Sequence, residues 1–191
     1  MTDENERNLL KGAKLVDKVV NKDVYYDNDV YGLTSNDIWL RKRNGKFELK
    51  IPIEGGSKGA ISRYLKITDE NTIREKLNLD SNKELEIALR KAGYKPFASY
   101  RTIRKRYRKG DFVIDIDEAD FDGGKYKICE IELKVKSPVE VRDAEKRIID
   151  FAYEHGLEIR PVRGKVIEYL KRKNFEHYAI LVASKAVEDF D

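Results

Sequence analysis

Cysteine is almost missing from this chain: in 191 residues Cys129 stands alone. No intramolecular disulfide can form, and a reducing compartment is the default expectation. Long apolar runs are missing as well. None approaches the length needed to span a membrane, and the opening MTDENERNLL is nothing like a signal peptide. Both absences point to a cytoplasmic protein. The third absence is an excess of charge of one sign. Charged residues reach 39%, well above the roughly one quarter of an ordinary soluble chain, yet 39 Lys+Arg against 35 Asp+Glu leave only +4. A dedicated nucleic-acid binder is usually more lopsided, so nucleic acid is disfavoured as a partner. Internal repeats and low-complexity stretches do not stand out. With 40% apolar residues the chain can build one substantial core.

What is present is a repeated pattern of charged pairs spaced i, i+2, with an apolar residue between them at Leu49, Ile116 and Ile131. Glu4 and Glu6 open the series. Arg41 and Arg43, Glu48 and Lys50, Arg104 and Arg106, Asp115 and Asp117, and Glu130 and Glu132 continue it. On a strand such pairs share one face. The other face is then greasy, with Leu40, Phe47, Leu49, Ile51, Ile114, Ile116, Ile131 and Leu133.

The punctuation supports an alternation of strands and helices. Residues 4–10 read as a short first strand, Lys14–Val20 as a helical turn or two, and Asp23–Tyr26 and Ile38–Arg43 as strands. Asn44-Gly45 is a hairpin dipeptide, and Phe47–Ile53 is the return strand, stopped near Pro52 and Gly55-Gly56. Ile61–Thr68 is another strand. From Asp69, a plausible N-cap, to Gly93 the spacing of Ile73, Leu77, Leu85 and Leu89 is helical. Phe97–Tyr107, Phe112–Glu118 and Lys125–Lys136 complete a β meander. Helices follow from Ser137-Pro138 to Gly156 and from Gly164 to Asn174, and the tail from Tyr178 reads as helical. The total is seven or eight antiparallel strands with helices inserted.

For a single strand the bland account, a solvated charged face, is sufficient. Over six strands it weakens, because acid and base recur in pairs, all but Glu48 and Lys50 of a single sign, without the usual admixture of Ser, Thr and Gln. Closing the sheet would gather those charges inside a barrel, where they are costly unless a ligand and a metal balance them. A polyanion held with a divalent cation fits such a face.

Lined up in order, these segments resemble the CYTH superfamily of triphosphate tunnel metalloenzymes, and within it the thiamine triphosphatase branch. The matching pieces are Glu4-Asn5-Glu6-Arg7-Asn8 for E-x-E-x-K, Val24-Tyr25-Tyr26-Asp27, Trp39-Leu40-Arg41-Lys42-Arg43, Phe47-Glu48-Leu49-Lys50, Arg104, Asp115 through Phe121, Glu130-Ile131-Glu132, and Lys165. The likeness runs over about residues 4 to 170. It implies an α+β fold: a closed antiparallel eight-stranded β-barrel, or tunnel, with helices packed around it. It also implies a single domain over 1–191 with a helical tail at about 178–191. In two places the chain departs from the pattern. Asn8 replaces the opening lysine, and Arg63 and Lys66 stand where related enzymes often place acids.

The resemblance assigns roles. Glu4, Glu6, Asp115, Asp117, Glu130 and Glu132 are the expected ligands of Mg²⁺, or of Mn²⁺, since hard cations take oxygen ligands; structural salt bridges are the alternative. Arg41, Arg43, Lys50, Arg104 and Lys165 are the expected phosphate contacts. Tyr25 and Lys50 are the candidates to position or activate the attacking water, although Tyr25 equally suits a core aromatic. Trp39 is either a stacking platform for the thiamine rings or an ordinary core tryptophan. Arg106, Arg101 and Lys134 share the spacing and read as solvated. His155 and His177 read as surface or capping residues, and Cys129 as an inert core thiol. The expected activity is metal-dependent hydrolysis of the terminal phosphate of thiamine triphosphate by a monomer acting on a small-molecule substrate. Inorganic triphosphatase, class IV-type adenylyl cyclase and a catalytically weak polyphosphate-binding protein stay open.

Overall fold

The computed structural model describes residues 3–58, 61–80 and 82–190. Seven strands form one sheet in the order β4-β3-β2-β1-β5-β6-β7. They are β1 (Lys14–Asp27), β2 (Trp39–Arg43), β3 (Lys46–Lys58), β4 (Ile61–Ile67), β5 (Lys95–Lys109), β6 (Phe112–Asp120) and β7 (Lys125–Glu132). Every pair whose register is described is antiparallel. The helices are α1 (Asp3–Leu10), α2 (Glu70–Lys76), α3 (Leu85–Lys91), α4 (Val141–Glu154), α5 (Lys165–Lys173) and α6 (Phe175–Ala183). No helix of the described residues is long and apolar enough to cross a membrane.

Two expectations about the N-terminal region are corrected. Residues 4–10, expected as the first strand, form α1, and Lys14–Val20, expected as helix, opens β1. On a helix, i and i+2 lie about 200° apart, so Glu4 and Glu6 do not share a face. Asp3, Glu4 and Glu6 fall in the first turn of α1, where acids oppose the helix dipole, and Leu9 is fully buried. In β1 the β-branched Val16, Val19 and Val20 favour the extended backbone. With α1 in place of a strand, the expected eighth strand is missing from the described residues. β4 and β7 end the strand order, and no pairing between them is among the described ladders, so the expected barrel closure is not observed. β3 also continues past Pro52 to Lys58, with its register broken between Pro52 and Ser57.

Contacts divide the chain into two compact units: Met1–Asn21 with Arg101–Val162, and Lys22–Tyr100 with Arg163–Asp191. In the first unit, Ile114 and Ile116 of β6 pack with Leu9 and Phe151, with Cys129 and Ile131 alongside. Cys129 is therefore a partly buried thiol packed against this core. Burial, reinforced by Glu130, Glu6 and Asp115, pushes it up to about 12. In the second unit, Leu40, Phe47 and Leu49 pack with Ile73, Leu85 and Leu89. Asp69 caps α2 by accepting from the Thr72 N–H at 2.8 Å. In both units the apolar face read from strand alternation is the face that packs. The turn at Asn44 (φ 49°) and Gly45 (φ 86°) joins β2 to β3 in the left-handed conformations a type I′ hairpin requires.

Candidate active site

The first unit carries an acid-rich cluster on the face of β5, β6 and β7 opposite its core. The register sets Arg104 opposite Asp117, and Arg106 opposite Asp115, which is itself opposite Glu130. Asp115 and Asp117 are both 0% exposed. Arg104 donates from Nε and Nη2 to the two oxygens of Asp117 at 2.8 and 2.7 Å. It also donates from Nη2 to Glu130 at 2.9 Å and from Nη1 to Asp115 at 2.5 Å. Burial alone would lower the Arg104 guanidinium, but these carboxylates outweigh it and raise it. Arg106 forks onto Asp115 with Nε and Nη2 at 2.8 and 2.7 Å. One oxygen from each of Asp115, Glu130 and Glu132 lies within 4.8 Å of the others, a spacing a single cation can bridge. Four carboxylates against two guanidiniums leave a surplus of two negative charges. That surplus matches a divalent ion, so the donor set fits one.

Glu4 and Glu6 stand outside this cluster. Glu4 is exposed on α1, and Glu6 forms an ion pair with Lys127. Asn8 is likewise exposed on α1, so it marks no vacant lysine position on a strand. Arg106, read from sequence as solvated, is partly exposed and forks onto Asp115, one of the two fully buried acids of the site.

The second unit carries a basic patch on the face of β1, β2, β3 and β4 opposite its core. Its first row pairs Asp23 with Arg43 across β1 and β2. Asp23 is 0% exposed and accepts a fork from Arg43 Nε and Nη2 at 2.6 and 2.7 Å. The second row is Tyr25, Arg41 and Glu48. Arg41 donates Nε and Nη2 to Glu48 Oε2 at 2.9 and 2.6 Å, and Nη1 to the Tyr25 hydroxyl at 3.3 Å. Burial would raise the Glu48 carboxyl; the charge and hydrogen bonds of Arg41 overcome that and hold it below the usual carboxylate range. The third row is Trp39, Lys50 and Lys66. Lys50 Nζ lies over the Tyr64 ring at 5.6 Å, and Lys66 Nζ reaches Glu48 at 3.8 Å. Arg41, Arg43, Lys50 and Lys66 thus share this face with Asp23 and Glu48. Lys165, 7% exposed, occupies the first position of α5.

The aromatic residues here are packed inward. Trp39 is 6% exposed, stands edge-on to Tyr25 at 6.4 Å, and donates its indole N–H to Asp37 at 2.8 Å. Trp39 is thus buried, and its register sets it beside Lys50 on the face opposite the apolar cluster. Tyr25 also stacks on Tyr100 at 6.0 Å.

Sequence reading missed the carboxylates that hold the basic patch, Asp23 above all. The signal was present: Asp23, Tyr25 and Asp27 alternate on β1 and therefore share a face. His177, expected at the surface or as a cap, is 0% exposed. Its Nε2 lies 2.8 Å from Thr34 Oγ1, which lies 2.7 Å from Asp27 Oδ2, and its ring stacks on Tyr31 at 3.8 Å. His155 meets its capping expectation: it ends α4, and Nδ1 lies 2.7 Å from the Phe151 carbonyl.

The comparisons with known proteins agree with this arrangement at the level of family. The CYTH domain model matches residues 2–159, and the chain belongs to that family. CYTH enzymes generally act on triphosphates and depend on metal. Among solved structures, the chain is similar to PH1819 from Pyrococcus horikoshii OT3, with 22% identity and TM-score 0.65, covering 91% of this chain and 96% of that one. It is also similar to a protein from Vibrio parahaemolyticus titled as a candidate adenylate cyclase (18% identity, TM-score 0.55, 89% and 92% covered). A third is HpAC1 from Hippeastrum, titled as a candidate adenylyl cyclase that reveals a dominant triphosphatase activity (15% identity, TM-score 0.54, 91% and 92% covered). At these identities the likeness is one of fold.

Proposed function

We propose that this protein hydrolyses the terminal phosphoryl group of a triphosphate compound, with Mg²⁺ or Mn²⁺ held by Asp115, Glu130 and Glu132. The observation that carries this reading is the acid cluster of the first unit, where one oxygen each from Asp115, Glu130 and Glu132 lies within 4.8 Å of the others. The second unit carries its own group of arginine and lysine side chains, of the kind that take phosphate oxygens. A divalent cation bound at the acids would neutralise phosphate charge as the P–O bond breaks. Arg41, Arg43, Lys50 and Lys165 take phosphate oxygens. Tyr25, whose hydroxyl accepts from Arg41, and Lys50 orient the water. The water oxygen bonds to the terminal phosphorus, the bridging P–O bond breaks and its electron pair leaves with the diphosphate; one water hydrogen stays on the released phosphate and the other passes as a proton to the departing oxygen or to bulk water. Asp117 and Arg104, which hold each other by two hydrogen bonds, keep Glu130 and Asp115 in place rather than meeting substrate.

Substrate choice within this class turns on Trp39. A buried ring with its N–H on Asp37 offers no open face to a thiazolium, so recognition runs through the phosphate chain. Inorganic triphosphate then ranks ahead of thiamine triphosphate. Phosphate release should be measured with inorganic triphosphate, thiamine triphosphate and ATP, each with Mg²⁺ and Mn²⁺. The expected result is turnover of inorganic triphosphate at least as fast as of either organic compound. A strong preference for thiamine triphosphate would refute recognition by the chain alone. Formation of cyclic AMP from ATP would assign the cyclase, and binding without turnover of any substrate would refute hydrolysis.

A further inference from the structure

Asp115 is surrounded by positive charge before any cation arrives. Both of its oxygens are taken: Oδ1 by Arg106 Nε at 2.8 Å, and Oδ2 by Arg106 Nη2 at 2.7 Å and Arg104 Nη1 at 2.5 Å. It is also one of the three ligand-spaced acids. A carboxylate oxygen bound to Mg²⁺ or Mn²⁺ sits roughly 2.0–2.3 Å from the ion, inside the space a guanidinium at 2.7 Å already fills. The two arginines differ in how firmly they are held. Arg104 is 9% exposed at its side chain and also tied to Asp117 and Glu130. Arg106 has 40% side-chain exposure, and its described hydrogen bonds go to Asp115 alone. Arg106 is the one that can leave.

We infer that Arg106 is a built-in counter-ion of the cation site: it occupies Asp115 while the site is empty, must swing away for a divalent ion to bind, and thereby sets the ion's affinity. The inference rests on the metal-site reading above and adds a residue that tunes it. The energetic argument is direct. With Arg106 on Asp115 this buried carboxylate is satisfied, so Asp115 itself is not left as an unpaired buried charge in the resting state. An incoming ion must break two charge-assisted hydrogen bonds that already fork onto its ligand. Removing the guanidinium removes both the competition and a repulsive charge next to the ion.

The test is calorimetric titration with Mn²⁺ alone, without phosphate, on the wild-type protein and on Arg106→Gln, Arg106→Lys and Asp115→Asn. Arg106→Gln should bind Mn²⁺ roughly tenfold more tightly than wild type, the order expected for one half-screened charge beside the ion. Arg106→Lys keeps the charge but cannot fork a carboxylate, so it should fall between the two. Equal or weaker Mn²⁺ binding by Arg106→Gln, with an unchanged melting curve, would overturn the inference while leaving the metal site standing. Should Arg106→Gln fail to fold, unchanged binding by Arg106→Lys overturns it instead. If wild type and Asp115→Asn both ignore Mn²⁺, the metal-site reading fails and the inference falls with it.

Discussion

His177 shows how one buried side chain can be read from its hydrogen bonds. Asp27 accepts from the N–H groups of Asn28, Leu33 and Thr34 and from the Thr34 hydroxyl. A carboxylate only accepts, so Thr34 spends its hydrogen there, and its oxygen must accept from His177 Nε2–H. That leaves Nδ1 as a bare lone pair, buried and without a hydrogen-bond partner. A second proton has no acceptor to meet. Burial, partly opposed by Asp27, accordingly pulls the imidazole down to about 4 from 6.5. A group depressed in the folded state contributes stability above its unfolded pKa and loses it as pH falls. The window is therefore about 6.5 down to about 4. Urea unfolding should show the protein losing about 2 kcal/mol from this group between pH 7 and pH 5. His177→Gln should be less stable at pH 7 but flatter across that interval; an equal slope in both proteins would refute the assignment. Nothing in the run Phe175-Glu176-His177-Tyr178 announces this, because the partners Asp27 and Thr34 lie far away in sequence. Arg41 with Arg43, Asp115 with Asp117 and Glu130 with Glu132 were legible as pairs, since strand alternation puts each pair on one face of its own strand. Arg106 was visible in the same pattern and misjudged, because exposure alone does not reveal the carboxylate beside it.

Among the elements, the hairpins were the easiest to read and α1 the hardest. Asn44-Gly45 fixes both the turn and the register that lines up Arg41 with Glu48. Gly45→Val would force a β-branched residue to φ near 86°. The expected cost is about 1–2 kcal/mol, seen as a lower urea midpoint with unchanged m-value. A midpoint equal to wild type would mean that the turn relaxes to another type. The Glu4-Asn5-Glu6 segment shows why short motifs mislead. Two acids at i, i+2 fit a strand face, yet acids in a first turn followed by Leu9 and Leu10 fit a helix as well. Only the docking of Leu9 among Ile114, Ile116 and Phe151 selects the helix. The helix from Ser137-Pro138 to Gly156 and the one from Gly164 to Asn174 were placed within a few residues, because a proline start and a glycine stop bound the first and a 3.6-residue period runs through both.

For the whole molecule, cation binding and folding are linked. The ligand-spaced acids come from β6 and β7, which are adjacent only when the sheet is formed, so the ion should bind the folded chain in preference to the unfolded one. At a concentration one hundred times its dissociation constant, Mn²⁺ should add about 2.7 kcal/mol to stability. The gain is read as a higher melting temperature in the presence of the ion. Glu130→Gln should lose most of that gain, and phosphate release with it. A Glu130→Gln protein that gains as much as wild type would place the ion elsewhere. Alternation along each strand, set by the backbone's two-residue period, determined from sequence alone which face would be charged and which would pack; with the ordered motifs, it also determined the family. Only tertiary structure decided which charges neutralise one another. Asp23 is bound to Arg43, Arg106 to Asp115, and Glu6 to Lys127 instead of to the acid cluster. Ion pairing depends on distances of a few ångströms between strands far apart in sequence, and a one-dimensional pattern carries no such distances.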